Sequence, residues 1–229
     1  LTHAGVRVAL VDHEYTATVD AIRSELRTVR HWIVASPTGT PKGDWTDWDA
    51  LIAKASPAAP PAVERDEDDV VSINYTSGTT ARPKGVMLTH RNFYVNAYGL
   101  IAHLRLSHQD VELWTLPMFH CNGWGMPYAH TGMGGTQVVI RKVDGAEILR
   151  RIEAHGVTQL NGAPAVVAAI LDAAAEWDGP IPGAGRVRMV VAGAPPPTRN
   201  IPGQPFSKPP PPLPQGGIIG LFPEPGGPR

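Results

Sequence analysis

One cysteine, Cys121, stands in 229 residues, so no disulfide can form within the chain, and a disulfide-stapled scaffold is excluded. That fits a reducing compartment, and a cytoplasmic location is expected. An excess of one charge is also lacking. Lys and Arg number 20 against 21 Asp and Glu, a formal net charge of −1. No basic field is available for nucleic acid, and no polybasic block marks a membrane surface. No apolar run approaches the roughly 18 residues of a membrane-crossing helix. The opening LTHAGVRVALVDHEY has no charged start, long apolar stretch or small-residue cleavage site, so it does not read as a signal peptide.

What is present is a globular composition, 42% apolar and 18% charged, long enough for one large domain or two small ones. Two features stand apart. The chain begins without Met, directly in a strand-like run, and Pro195 to Arg229 holds 13 of the 24 prolines. Proline removes a backbone donor and fixes φ, so that stretch cannot form regular helix or central strand. Both ends lead us to expect a piece of a longer protein.

Apolar runs and helical spacings alternate along the rest. Strands are expected at Val6–Val11, His31–Ala35, Val70–Tyr75, Val111–Leu116, Gln137–Val143, Val157–Leu160 and Val187–Ala192. Helices are expected at Val19–Thr28, Arg91–Leu106, Ala146–His155 and Ala165–Trp177. Their inward residues include Phe93, Ala97, Ile101 and Leu104, then Ile148, Leu149 and Ile152. Thr89 is placed to cap the second helix. Trp45, Trp48 and Leu51 suggest a small docking helix, and Ser56–Asp69 a solvated linker. Alternating strands and helices predict an α/β fold with a mainly parallel sheet flanked by helices.

The chemistry concentrates in TSGTTARPKG, Thr76 to Gly85, directly after a strand. Thr76, Ser77, Thr79 and Thr80 supply hydroxyl donors, and Gly78 lets the backbone approach a ligand closely. Lys84 adds a point charge suited to phosphate. Together these describe an anion cradle at the exit of a strand. A Walker loop is excluded, because Pro83 and Gly85 occupy the places where that motif needs Gly before its Lys and Ser or Thr after it.

YTSGTTARPKGVMLTHRN is similar to the signature loop of the adenylate-forming (AMP-binding) enzymes. LPMFHCNGWGMPYA (Leu116–Ala129) resembles their acyl-CoA synthetase branch, and VVAGAPPP (Val190–Pro197) resembles the strand and turn that hold adenine. The three segments occur in the family's order, and the resemblance covers residues 1 to about 197. It implies a partial large domain over 1–197, a Pro/Gly-rich aberrant or disordered tail over 198–229, and no small C-terminal domain.

The resemblance also implies roles. Thr76, Ser77, Gly78, Thr79, Thr80 and Lys84 would line the ATP phosphates, while Gly193, Ala194 and Pro195 would contact adenine. His120 would sit beside the carboxylate being activated, and Trp124 would gate the acyl side. Mg²⁺ would be held with help from Thr76 and from Glu224, which stands in an altered copy of the family's metal-binding segment. Ala81 departs from the family's usual Gly. The implied reaction joins a fatty or aryl acid to CoA at the expense of ATP, through acyl-AMP, with this chain inactive alone. Two alternatives stay open: a non-catalytic nucleotide-binding remnant, and an adenylation domain that loads a carrier protein. Cys121 reads as a small pocket or core residue. Gly123, Gly125, Gly132, Gly134 and Gly135 either leave volume for an acyl chain or permit tight turns.

Overall fold

A computed structural model describes residues 1–36, 43–76, 83–191 and 218–220. They fall into two compact units, Leu1–Thr89 and His90–Arg229.

In the first unit, β1 (Val8–Asp12) and β2 (His31–Ala35) pair in parallel, and the two-residue β3 (Thr46–Asp47) extends the sheet. The crossover is α1 (Thr16–Ile22), which tightens into a 3₁₀ turn at Arg23–Glu25. The helix expected to run to Thr28 therefore stops early. Leu26 leaves helical geometry at ψ 57, which lets Val29 enter the core beside Ala9, Trp32, Val34 and Trp45. Trp45 is the residue that docks. Its indole N–H donates to Asp20 at 3.1 Å, and its ring meets Trp32 edge-on at 5.7 Å, a favoured aromatic geometry. The expected docking helix is α2 (Trp48–Lys54), capped by Asp47, but it buries no residue. Trp48 and Leu51 are 36% and 42% exposed, so their expected burial is corrected.

A hairpin follows: β4 (Val70–Thr76) runs antiparallel to β5 (Lys84–Thr89). Lys84 and Gly85, read from sequence as the end of a loop, begin a strand. Thr89 ends β5 and directly precedes the next helix.

The second unit is a sheet in which β6 (Val111–Trp114), β7 (Thr136–Val139), β8 (Gln159–Gly162) and β9 (Arg188–Val191) are parallel. The proline-free Ile218–Gly220 pairs antiparallel with β9 as the edge strand β10, and the order is β10-β9-β8-β6-β7. The helices are α3 (His90–Leu104), α4 (Met126–Met133), α5 (Gly145–His155) and α6 (Pro164–Ala175). Successive strand residues point to opposite faces. Leu113, Val138, Leu160, Met189 and Val191 take one face and form a core with Ile148, Leu149 and Ile152 of α5 and Val166, Val167 and Ile170 of α6. Asp144 caps α5 by accepting from the Glu147 amide at 2.8 Å, and Gly156 ends it in the left-handed region. The opposite face carries Glu112, Trp114, Gln159 and Asn161, and His130 of α4 reaches Glu112 there.

Candidate active site

In an open parallel sheet, ligand sites form where loops leave the carboxyl ends of adjacent strands. Here β6, β8 and β9 are neighbours and end at Trp114, Gly162 and Val191. The loop after β6 carries His120 and Trp124. Gly193 follows two positions after the end of β9. The Thr115 hydroxyl, just beyond β6, donates to the Asn161 carbonyl of β8, which ties two of these ends together.

The backbone after His120 is unusual. Cys121, Asn122, Gly123, Trp124 and Gly125 all have positive φ, at 50°, 50°, 57°, 62° and 84°. Left-handed geometry costs about 1–2 kcal/mol for each non-glycine residue, and such strain persists only where the surroundings impose it. Two glycines make the turn possible. A Cβ on Gly123 would lie 2.7 Å from the Trp114 ring, and one on Gly125 would lie 1.9 Å from Asn96 Oδ1. The turn is tied back by the His120 amide to the Pro117 carbonyl and by the Gly123 amide to the His120 carbonyl, both 3.1 Å.

Within it, Trp124 packs half-buried against the cluster of Trp114, Met126 and Ala129. His120 is exposed, and Phe119 beside it is 92% exposed. Cys121 is exposed as well, its Sγ 3.7 Å from His120 Nε2. That corrects the reading of Cys121 as a pocket or core residue: the left-handed turn sends Gly123 and Trp124 inward instead. Of the clustered glycines, Gly123, Gly125 and Gly134 serve tight turns, all at positive φ. Gly135 packs against His130.

In the first unit, Thr76 and Lys84 are direct cross-strand partners at the open end of the hairpin. Partners in that relation hold their Cβ atoms about 5 Å apart, so a hydroxyl and an ammonium flank the neck of the loop. Both are exposed. The His3 ring meets the neighbouring Tyr75 hydroxyl at 2.5 Å. Ser77, Gly78, Thr79, Thr80 and Ala81, together with Gly193, Ala194, Pro195 and Glu224, lie outside the described residues. Among the described residues no three His, Cys, Asp or Glu side chains converge as a metal site.

The sequence reading missed a buried polar group. Glu112 and His130 approach within 3.4 Å with side chains 2% and 0% exposed, and the Asn161 amide donates to Glu112 at 2.8 Å. Burial pushes the Glu112 carboxyl above its ordinary value, against the opposing pull of His130 and Asn161. The available signal was a charged residue inside the run VELWTL.

A family model described as AMP-binding enzyme matches residues 1–202. The chain is 34% identical over 209 residues to the peroxisomal butyrate–CoA ligase AAE11 of Arabidopsis thaliana, covering 86% of this chain and 36% of that protein. It is 33% identical over 219 residues to the peroxisomal trans-cinnamate:CoA ligase of Petunia hybrida, covering 88% and 38%. It thus spans little more than a third of the length of these curated relatives. Among solved structures, the inhibitor-bound N-terminal domain of FACL13 from Mycobacterium tuberculosis superposes with a TM-score of 0.65 at 25% identity, over 83% of this chain and 51% of that one. With the family model spanning most of its length, this chain belongs to the AMP-binding enzyme family.

Proposed function

We propose that the chain is the part of an ATP-dependent, AMP-forming acid–CoA ligase that holds the carboxylate and the nucleotide phosphates. The observation that carries this reading is the left-handed turn Cys121–Gly125, which sets His120 and Trp124 at the carboxyl end of β6. In the reaction, a carboxylate oxygen attacks the α-phosphorus of ATP, forming acyl-AMP and releasing pyrophosphate. The sulfur of CoA then attacks the acyl carbon and displaces AMP, giving the thioester.

Each residue has a positional task. Thr76 and Lys84, with Ser77, Gly78, Thr79 and Thr80, hold the phosphates, while Gly193, Ala194 and Pro195 follow β9 toward the adenine. His120 orients the carboxylate, which is already ionised near neutral pH and needs no strong base. Trp124 forms the wall on the acyl side. Catalysis then rests on positioning and on electrostatic support of the phosphoryl transition state. Mg²⁺, when bound with the nucleotide, neutralises phosphate charge. The names of the relatives point to short aliphatic and aryl acids as the first acids to try. The chain is assigned to the cytoplasm on its lone cysteine, although both plant relatives are named as peroxisomal. No helix among the described residues is long and apolar enough to cross a membrane.

The test is ATP binding by the 229-residue chain, followed by carboxylate-dependent pyrophosphate release with butyrate, benzoate and trans-cinnamate. The chain should bind ATP and release little pyrophosphate alone. A chain completed with the remaining segments of a longer relative should release it and form a thioester with free CoA. Silence from the completed protein overturns the ligase reading. Thioester formed only on a carrier domain would instead identify a carrier-loading adenylation domain.

A further inference from the structure

The buried polar group beneath α4 lies outside the reaction just described. Glu112 comes from β6, Gln159 and Asn161 from β8, and His130 from α4, and all four are 0% or 1% exposed. An isolated buried carboxylate is costly, and the cost is offset only by partners. Glu112 has two: Asn161 Nδ2 donates to its Oε1 at 2.8 Å, and His130 Nε2 lies 3.4 Å from its Oε2. The second contact has ion-pair distance without hydrogen-bond alignment. Among the described residues, Glu112 Oε2 and both ring nitrogens of His130 have no hydrogen-bond partner. Both side-chain polar atoms of Gln159, the cross-strand partner of Glu112, are likewise without a partner among the described residues.

The surroundings confine the pair. Arg188 of β9 acts on Glu112 only through its field, because its guanidinium is bound to Asp110 and the Leu104 carbonyl. The far side of the His130 ring is closed by Gly135, where a Cβ would lie 2.8 Å from Nδ1. The Gly135 amide donates to the His130 carbonyl at 2.9 Å. His130 thus cannot swing away from Glu112 without moving the end of α4.

The same helix starts at Met126, directly after the left-handed turn. Met126 and Ala129 are fully buried with His130, so α4 and the turn are seated as one piece. A turn made of strained residues keeps its geometry only if its flanks are held. The Pro117 and His120 carbonyl bonds hold one flank, and α4 holds the other.

We infer that Glu112 and His130 are positioning residues: their buried contact pins α4 to β6 and thereby holds the Cys121–Gly125 turn, with His120 before it, in its left-handed form. Neither residue touches the reacting atoms. The inference rests on the site reading above only for its functional meaning, since the contact and its effect on the turn can be measured without substrate.

The test is backbone amide exchange of α4 and of the turn in the full chain, read for the turn at the Gly123 amide bonded to the His120 carbonyl, with α5 as internal reference. Four variants separate pairing from packing. His130→Gln keeps a polar atom near the Nε2 position, whereas His130→Asn reaches only as far as Nδ1. Glu112→Gln keeps both polar contacts, whereas Glu112→Leu keeps the volume and loses them. H130N and E112L should lower the protection of α4 and of the Gly123 amide together, by about tenfold or more, while α5 is unchanged. H130Q should stay within about twofold of the native chain, and E112Q should protect α4 at least as well as the native chain. If E112L does not fold, H130N against H130Q decides. Equal protection in H130N and H130Q, or lost α4 protection with an unchanged Gly123 amide, overturns the proposal. Iodoacetamide alkylation of Cys121, the sole thiol, with and without ATP and butyrate tests the site reading separately, so either idea can fail alone.

Discussion

Thr76 and Lys84 stand opposite each other across the last rung of the β4–β5 hairpin. The rung fixes a hydroxyl and a cation side by side at the neck of the hairpin, and under the proposed function both meet the ATP phosphates. An ammonium–phosphate hydrogen bond contributes about 1.5–3 kcal/mol, against about 0.5–1.5 for a neutral hydroxyl. Lys84→Ala should therefore weaken ATP binding by roughly tenfold to a hundredfold, and Thr76→Val by no more than about tenfold. Calorimetric titration at two salt concentrations checks this. The Lys84 effect should shrink as salt rises, because exposed charges are screened, and the Thr76 effect should not. Equal ATP affinity in K84A and the native chain would remove the hairpin neck from the site.

Gly125 and Gly132 provide a matched pair on α4. Gly125 has φ 84, and an added Cβ would lie 1.9 Å from Asn96 Oδ1. Backbone strain of about 1–2 kcal/mol and overpacking of about 1–3 then act together. Gly125→Ala should destabilise the chain by about 2–5 kcal/mol. Gly132 is inside the helix with nothing within 4 Å of an added Cβ. Gly132→Ala should stabilise by up to about 1 kcal/mol, the usual difference between the two residues in helix. Urea unfolding of both variants checks the pair. A neutral G125A would mean that the left-handed turn is not required by the fold.

Much of the second unit was legible in the sequence because its helices have one buried stripe. Ile148, Leu149 and Ile152 of α5 are buried as the 3.6-residue period requires; in the first unit, β2 matches its expected span. The hairpin was harder to read. Val86, Met87 and Leu88 are consecutive apolar residues, so β5 lacks the alternation that marks a half-buried strand, and its Pro-Lys-Gly entrance reads as loop. The helix α4 was missed because glycines bound it on both sides. The left-handed turn has no residue signature beyond Gly and Asn, since Cys121 and Trp124 adopt the geometry under tertiary constraint. Glu112 was passed over because a charged residue in a short strand normally marks the solvent face, whereas here α4 covers that face.

Two carboxylates in the second unit should make stability depend on pH in opposite senses. Burial alone would raise the Asp110 pKa, but bonds from the Thr158 hydroxyl, the Ser107 amide and Arg188 outweigh it and hold Asp110 below its ordinary value of 3.8. A depressed folded-state pKa gives stability that is present above the unfolded value and lost as pH falls through the folded one. Glu112 is the reverse case, because burial holds it above its ordinary value of 4.5. Its contribution is fully present below the unfolded value and is lost as pH rises through the folded one. Glu112→Gln mimics the protonated form at every pH. Relative to E112Q, the native chain should therefore lose stability as pH rises above 4.5. Asp110→Asn should instead remove the loss of stability on the acid side, below 3.8, and destabilise the neutral protein by weakening the bonds that Asp110 accepts from Thr158, Ser107 and Arg188. Urea unfolding of the three proteins over a pH series reads both effects. Parallel curves for the native chain and E112Q would show that Glu112 titrates alike in the folded and unfolded states, and the net upward shift from burial would then be absent.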